Sequence, residues 1–361
     1  MSKTAQVKAA GPPTIIDVAR QAGVSIKTVS RVMNAEPGVR PDTRAHVLSV
    51  IAALKYRPQQ SARSLAGSRS FLIGLLYFDP SAAFVAGVQQ GATLSCREAG
   101  YHLVVESLNN DAPDLQQQID RMVSALRPDG IILTPPLCDN AQVLKALRDS
   151  GTPFVLVSPA HEIEGTRSVR MDDVRAAEEV TNLLISVGHT RIAFIKGAPD
   201  QAATKLRFKG YLRALKTHQI AVDEELIVQG DFLYASGVEA AHHLLSRRVR
   251  PSAVFASNDD MALGVLATAQ RLGLGVPADL SIAGFDDSPA SALVWPPLTT
   301  VRQPKHEMAR AAVAMITAAG RSDAEAALPA SLHRVLPHEL IVRDSTGAPF
   351  DKAVAAARRR R

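Results

Sequence analysis

The chain has 361 residues, 46% hydrophobic and only 4% aromatic, enough for two or three domains and suited to a soluble, alanine-rich α/β protein. Its net charge of +6 is unevenly held: residues 1–69 carry 11 Lys/Arg against 3 Asp/Glu, residues 70–345 carry 25 against 31, and residues 346–361 carry 5 against 1. The longest apolar run, 71–78, is too short to span a bilayer, and Cys96 and Cys138 lie in no CxxC or metal-ligand spacing, so no membrane anchor, metal centre or disulfide framework is expected.

The N-terminal segment 1–12 reads as a flexible leader, because MSKTAQVKAAGPP lacks the apolar centre of a signal peptide. The stretch TIIDVARQAGVSIKTVSRVMN, 14–34, reads as two short helices joined by a tight turn. Thr14 caps the first helix, with Asp17 in its first turn where the dipole favours an acid. Gly23 supplies the left-handed turn, and Ser25, with Thr28 beyond it, opens the second helix. There Val29, Val32 and Met33 fall on one face and point inward. The opposite face carries Ile26, Lys27, Ser30, Arg31 and Asn34, polar and basic groups such as a major-groove reader needs. The alternative is an ordinary two-helix corner with solvated charges. Pro41 and Asp42 start a third helix running to about residue 56, with Val47, Ile51 and Leu54 inward. Residues 13–57 thus form a three-helix DNA-binding head whose charge matches an anionic partner. A membrane-surface role would need a broad apolar helix face, which the head lacks.

Residues 58–69 contain a short helical stretch with one large apolar side chain, Leu65, and too few contacts to fold alone. It is either a plain linker or a hinge helix that orders only on DNA, with Leu65 wedged into the minor groove. DVARQAGVSIKTVSRVMN, then YRPQQSARSLAG, then FLIGLL resembles the LacI/GalR family of bacterial transcriptional regulators in order, spacing and residue type. The resemblance runs to about residue 345. It implies that Ile26 and Lys27 vary with operator sequence, that Ser30, Arg31 and Asn34 make more general base and phosphate contacts, and that Leu65 is the minor-groove leucine with Ser61 and Ala62 beside it.

From residue 70, short apolar strands alternate with amphipathic helices in two βαβ-rich halves, each a doubly wound parallel sheet. The resemblance adds late crossovers. They give a first lobe of about 70–167 plus 301–330 and a second of about 168–298 plus 331–345, the two-lobed architecture of periplasmic binding proteins. Residues 346–361 read as a basic disordered tail without leucine heptads, so a homodimer is expected and not a zipper-closed tetramer. Ligands of such folds sit at the carboxyl ends of the strands. Asp79, Ser158, Asn258 and Asp286 follow strands directly and offer the carboxylates, amide and hydroxyl that pair with sugar hydroxyls. By resemblance Arg207, Phe232 and Phe84 join them.

Neighbouring acids such as Asp172–Asp173, Asp259–Asp260 and Asp286–Asp287 do not face each other across a bond as a glycosidase pair must. No GxSxG elbow, GxxxxGK[ST] loop or GxGxxG fingerprint is present. His189 reads as a structural hydrogen-bonder. The expectation is therefore a cytoplasmic, cofactor-free repressor. It would bind a near-palindromic double-stranded operator under control of a small-molecule effector, a sugar or sugar derivative. A solute-binding protein would need a signal peptide and an enzyme a catalytic pair; a regulator answering to a protein or a purine is a weaker variant of the same class, since Asp79, Arg207 and Asp286 favour a polyhydroxylated ligand over a base only slightly.

Overall fold

A computed structural model describes residues 13–33, 36–56, 69–78, 82–319 and 332–349. The described chain divides into two compact units, one ending at Phe71 and the other beginning at Leu72.

The first unit is a three-helix domain. Helix α1 spans Ile15–Ala22, α2 spans Ile26–Met33 and α3 spans Pro41–Ala53. Thr14 and Asp17 form a reciprocal capping box: the Asp17 N–H donates to the Thr14 hydroxyl, and the Asp17 carboxylate accepts from the Thr14 N–H at 2.9 Å. Gly23 closes α1 with φ of 62°. The core is built almost wholly from small and β-branched side chains: Val18, Ala19, Ala22, Val29, Val32, Val47 and Val50, closed by Tyr56. Ile16 is half-exposed, because Ile15, Val18, Ala19 and Ala22 form the stripe that packs inward. On α3 Val50 takes a fully buried place, while Ile51 and Leu54 pack at the edge. Arg44 on α3 donates to the carbonyls of Val32 and Glu36, at 3.4 and 2.5 Å, and so fixes the end of α2 and the loop after it.

The second unit is two-lobed. The first lobe is a six-stranded parallel sheet in the order β11-β5-β4-β3-β1-β2. Its strands are β1 (Leu72–Tyr77), β2 (His102–Ser107), β3 (Gly130–Leu133), β4 (Phe154–Val157), β5 (Arg167–Arg170) and β11 (His333–Val335). Helices α4 (Ala82–Glu98), α5 (Leu115–Leu126) and α6 (Ala141–Asp149) alternate with them. The second lobe holds β6 (Ile192–Lys196), β7 (Ile227–Gln229), β8 (Ala253–Ala256) and β9 (Ser281–Ala283), in the order β7-β6-β8-β9. Its helices are α7 (Asp173–Ser186), α8 (Ala202–Thr217), α9 (Tyr234–Leu245), α10 (Asp259–Arg271) and the short α11 (Pro289–Leu293). Both sheets are nearly continuous apolar runs, as sheets covered on both faces require.

The chain passes between the lobes through β10 (Thr300–Arg302), α12 (Lys305–Ala319) and β12 (Glu339–Ile341); β10 and β12 pair antiparallel. Helix α12 packs on α4, β4 and β5 of the first lobe. Two expected boundaries shift. β5 lies across 167/168 and belongs to the first sheet, and β11, expected in the second lobe, pairs parallel with β5. The short runs RSVR and HRV carry no long apolar signature, because β5 shields only Ser168 and Val169 and β11 is an edge strand.

Helices α7 and α8 cross where α8 carries Gly210: a methyl group there would lie 2.2 Å from the Val174 carbonyl. Gly210→Ala is therefore expected to force the two helices apart and cost about 1–3 kcal/mol. Urea unfolding of the full chain measures it.

Candidate functional site

On the head, Ser25 caps α2: its hydroxyl accepts from the Thr28 N–H at 3.1 Å and lies 2.9 Å from the Thr28 hydroxyl. Ser25, Ile26, Lys27 and Arg31 are exposed, while Thr28 and Ser30 are half-buried beside them. An exposed isoleucine at the helix start, 48% accessible, is unusual for a core-forming residue and suits contact with a thymine methyl. Arg31 lies 3.9 Å from the Glu36 carboxylate, an exposed pair of small energy that a phosphate can readily replace. Thr14 stands exposed at the start of α1. Asn34, Ser61, Ala62 and Leu65 lie outside the described residues.

Between the two lobes is a cavity with an empty volume of about 480 Å³. Phe84 of α4, Pro135 after β3 and Ser158 after β4 reach it from the first lobe. The second lobe supplies Asp173, Gln201, Ala203, Leu206, Arg207, Phe232, Asn258 and Asp286, and Gln303 enters from the crossover after β10. Six of the seven expected effector residues thus meet in one cavity; the seventh, Asp79, lies outside the described residues.

The second-lobe wall is tightly organised. The Arg207 Nε donates to the Asp173 carboxylate at 2.9 Å, its Nη1 donates to the Ser257 carbonyl at 2.6 Å, and its guanidinium lies 3.7 Å over the Phe285 ring. Both partners of this ion pair are over nine-tenths buried. Asn258 caps α10 by accepting from the Met261 N–H at 3.0 Å, while its amide donates to the Phe232 carbonyl at 2.8 Å. That bond holds Phe232 in a left-handed conformation, φ 72°, with its ring over Gly197, where even a methyl group would collide. Ser158 and Asp286 also have positive φ, 54° and 122°. Such backbone costs about 1–3 kcal/mol per residue and clusters where function demands it.

Asp286 is fully enclosed. Its Oδ1 accepts from the Gln303 amide at 2.5 Å, and its carbonyl accepts from Lys305 Nζ at 2.8 Å. Burial pushes its carboxyl above the usual range, against the pull of Arg207 and Lys305. Behind it, Asp259 accepts from the Thr300 hydroxyl at 2.6 Å and the Ser288 N–H at 2.7 Å, and burial together with the Asp286 charge pushes it up to about 7. Asp287 behaves oppositely: burial pushes it up, but hydrogen bonds from Arg343 and Arg302 hold it below the ordinary value.

Asp173, Gln201 and Gln303 were not singled out from the sequence. Asp173 could be read there only as half of an acidic pair; its partner Arg207 is 34 positions away. Gln201 stands in an ordinary loop-like stretch, PDQAA, and Gln303 becomes visible only once the crossover is known to pass the cavity. His189 is a structural hydrogen-bonder: its ring nitrogens lie 2.8 Å from the Ser252 hydroxyl and 2.9 Å from the Gly347 carbonyl. Cys96 and Cys138 are buried and unpaired. Among the described residues no helix is long and apolar enough to cross a membrane, and no His, Cys, Asp and Glu side chains are grouped to hold a metal ion.

A helix-turn-helix head and a two-lobed core with a polar cavity between its lobes define a DNA-binding transcriptional regulator. The sequence model of bacterial regulatory proteins of the lacI family matches residues 14–59, and that of the periplasmic binding protein-like domain matches residues 181–346. Catabolite control protein A of Priestia megaterium is 35% identical over 334 residues, covering 92% of this chain and 99% of that protein. Among solved structures, the lac repressor dimer bound to operator and the anti-inducer ONPF superposes with a TM-score of 0.79 at 27% identity, over 94% of this chain and all of that one. The complex of the transcriptional regulator CelR with cellobiose gives 0.67 at 30% identity, over 92% of this chain and 99% of that one. The chain belongs to the LacI family of bacterial transcriptional regulators and is not an enzyme.

The buried Asp259 has a signed consequence. Its pKa is about 7 in the folded chain and near 3.8 when unfolded, so its ionisation penalises the fold fully above pH 7 and not at all below about pH 4. Relative to Asp259→Asn, which does not titrate, the wild type is expected to gain stability as the pH falls from 7.5 to 4.5. Denaturation midpoints of both chains at the two pH values check this; a pH-independent difference would contradict it.

Proposed function

We propose that this chain is a cytoplasmic, homodimeric repressor whose affinity for a near-palindromic operator is set by a carbohydrate held between its lobes. The convergence of Phe84, Ser158, Arg207, Phe232, Asn258 and Asp286 on one inter-lobe cavity is the observation that carries the effector half. Two aromatic faces and a set of carboxylate, amide, hydroxyl and guanidinium groups match a polyhydroxylated ring. The cellobiose complex of CelR supports the same ligand class. Two heads in a dimer would set their recognition helices about one DNA turn apart. Ligand-dependent lobe closure would change whether the hinge segment 58–69 can order on DNA.

Titration of a labelled operator with a panel of sugars should change operator affinity, and by reciprocity the operator should change sugar affinity by the same factor. A sugar that binds the core without altering operator affinity would remove the allosteric part.

Lys27 and Ile26, exposed at the start of α2, are the proposed base readers, with Thr14, Ser25, Thr28, Ser30, Arg31 and Asn34 making supporting contacts and Ser61, Ala62 and Leu65 acting from the hinge. Lys27→Ala should change which operator is selected from a random pool, with about 1–3 kcal/mol altered discrimination at one base pair per half-site. Uniform weakening across all sequences would make it a phosphate contact instead.

A further inference from the structure

One polar group in the cavity wall is left over. Gln201 is only 6% exposed, lines the cavity, and stands at the N-cap of α8 without capping it. Its amide Nε2 is buried and has no hydrogen-bond partner among the described residues. The neighbouring donors already hold protein partners: the Nε and Nη1 of Arg207 go to Asp173 and Ser257, Asn258 to Phe232, and Gln303 to Asp286. A buried donor left in this state is satisfied only by something that enters the cavity.

The charge of the lining narrows what enters. Asp173, Arg207 and Asp286 are its ionisable groups, two carboxylates and one guanidinium. The Arg207 charge is balanced by Asp173 at 2.9 Å, so whether Asp286 is ionised or protonated, the lining carries no excess positive charge to offset an anion. The contrary field is the N-terminus of α8, which has no acid in its first turn. Its partial positive charge, about half a unit, is smaller than that of one phosphate and is spread over the first turn. The lining also includes Phe84 and Phe232, aromatic side chains of the kind on which a sugar ring packs.

We propose that Gln201 is a ligand-binding residue whose amide N–H donates to an oxygen of an uncharged monosaccharide, and that this cavity selects such sugars over their phosphorylated or carboxylate forms. This rests on the reading of the cavity as the effector site. The alternative that Gln201 only lines a wall is separated from it by loss of ligand affinity without loss of fold.

The test is calorimetric titration of the full chain with D-ribose, D-glucose and D-galactose, and with ribose 5-phosphate, glucose 6-phosphate and D-glucuronate. At least one neutral sugar is expected to bind, with its charged counterpart weaker by a hundredfold or more. Gln201→Met, similar in length but without the donor, should weaken that sugar about tenfold while the ligand-free melting temperature holds or rises. Gln201→Glu, which offers an acceptor in the same shape, should weaken it at least as much. A charged sugar binding as tightly as its neutral parent overturns the selectivity. Unchanged affinity in both variants overturns the role of Gln201, while leaving the effector site intact. If no probe of either kind binds, the effector reading of the cavity fails and this inference fails with it.

Discussion

The ion pair between Arg207 and Asp173 is the contact on which the core's geometry turns. Both groups are buried, and either one left alone would cost several kcal/mol, so each is retained only because the other is in place. The pair does more than neutralise charge. Through Asp173 it ties the first turn of α7 to α8, and through the Ser257 carbonyl it reaches the end of β8. Stacking on Phe285 brings in the loop after β9. Four elements are thus registered by one side chain at the wall of the cavity. Gly210, one turn further along α8, permits the close helix crossing that this registration requires.

The acids around it show how environment divides one residue type among several roles. Asp173 balances a buried cation. Asp259 joins α10 to the loop before α11 and to β10, and its proton affinity is raised by burial and by a like charge. Asp287, one residue from Asp286, is pulled the other way by two arginines, one of them on the segment after β12. In sequence these look like three equivalent pairs of neighbouring acids. Their differences come from residues 15 to 56 positions distant, which no local pattern carries.

The same contrast marks what was legible beforehand. The head was legible because caps, turn glycine and apolar spacing are all local: Thr14, Gly23, Ser25, Val29 and Val32 occupy the places their spacing demands. The apolar strands β1, β3, β4, β6 and β8 were legible for a similar reason, since a doubly covered sheet writes itself as an unbroken hydrophobic run. β5 and β11 were not, because an outer strand buries little and its identity depends on a partner 165 residues away, as the Ser168–His333 contact shows. In the cavity, residues directly after strands could be found by rule. Gln201 and Gln303 could not, since a polar side chain in a loop is ordinary until its burial is known.

The placement of Asp286 bears on how a ligand could move the lobes. A ligand shifts a conformational equilibrium only through contacts that differ between the two states. Most of the cavity wall is internal to the second lobe and is held by it in any state. Phe84, Pro135 and Ser158 come from the first lobe, and Asp286 is tied to the crossover as well, because Gln303 and Lys305 reach it from the segment that leads to α12, and α12 packs on the first lobe. A hydroxyl that hydrogen-bonds to the Asp286 carboxylate competes with the Gln303 amide for the same oxygens. Contact at this carboxylate would therefore alter a bond between lobe and crossover.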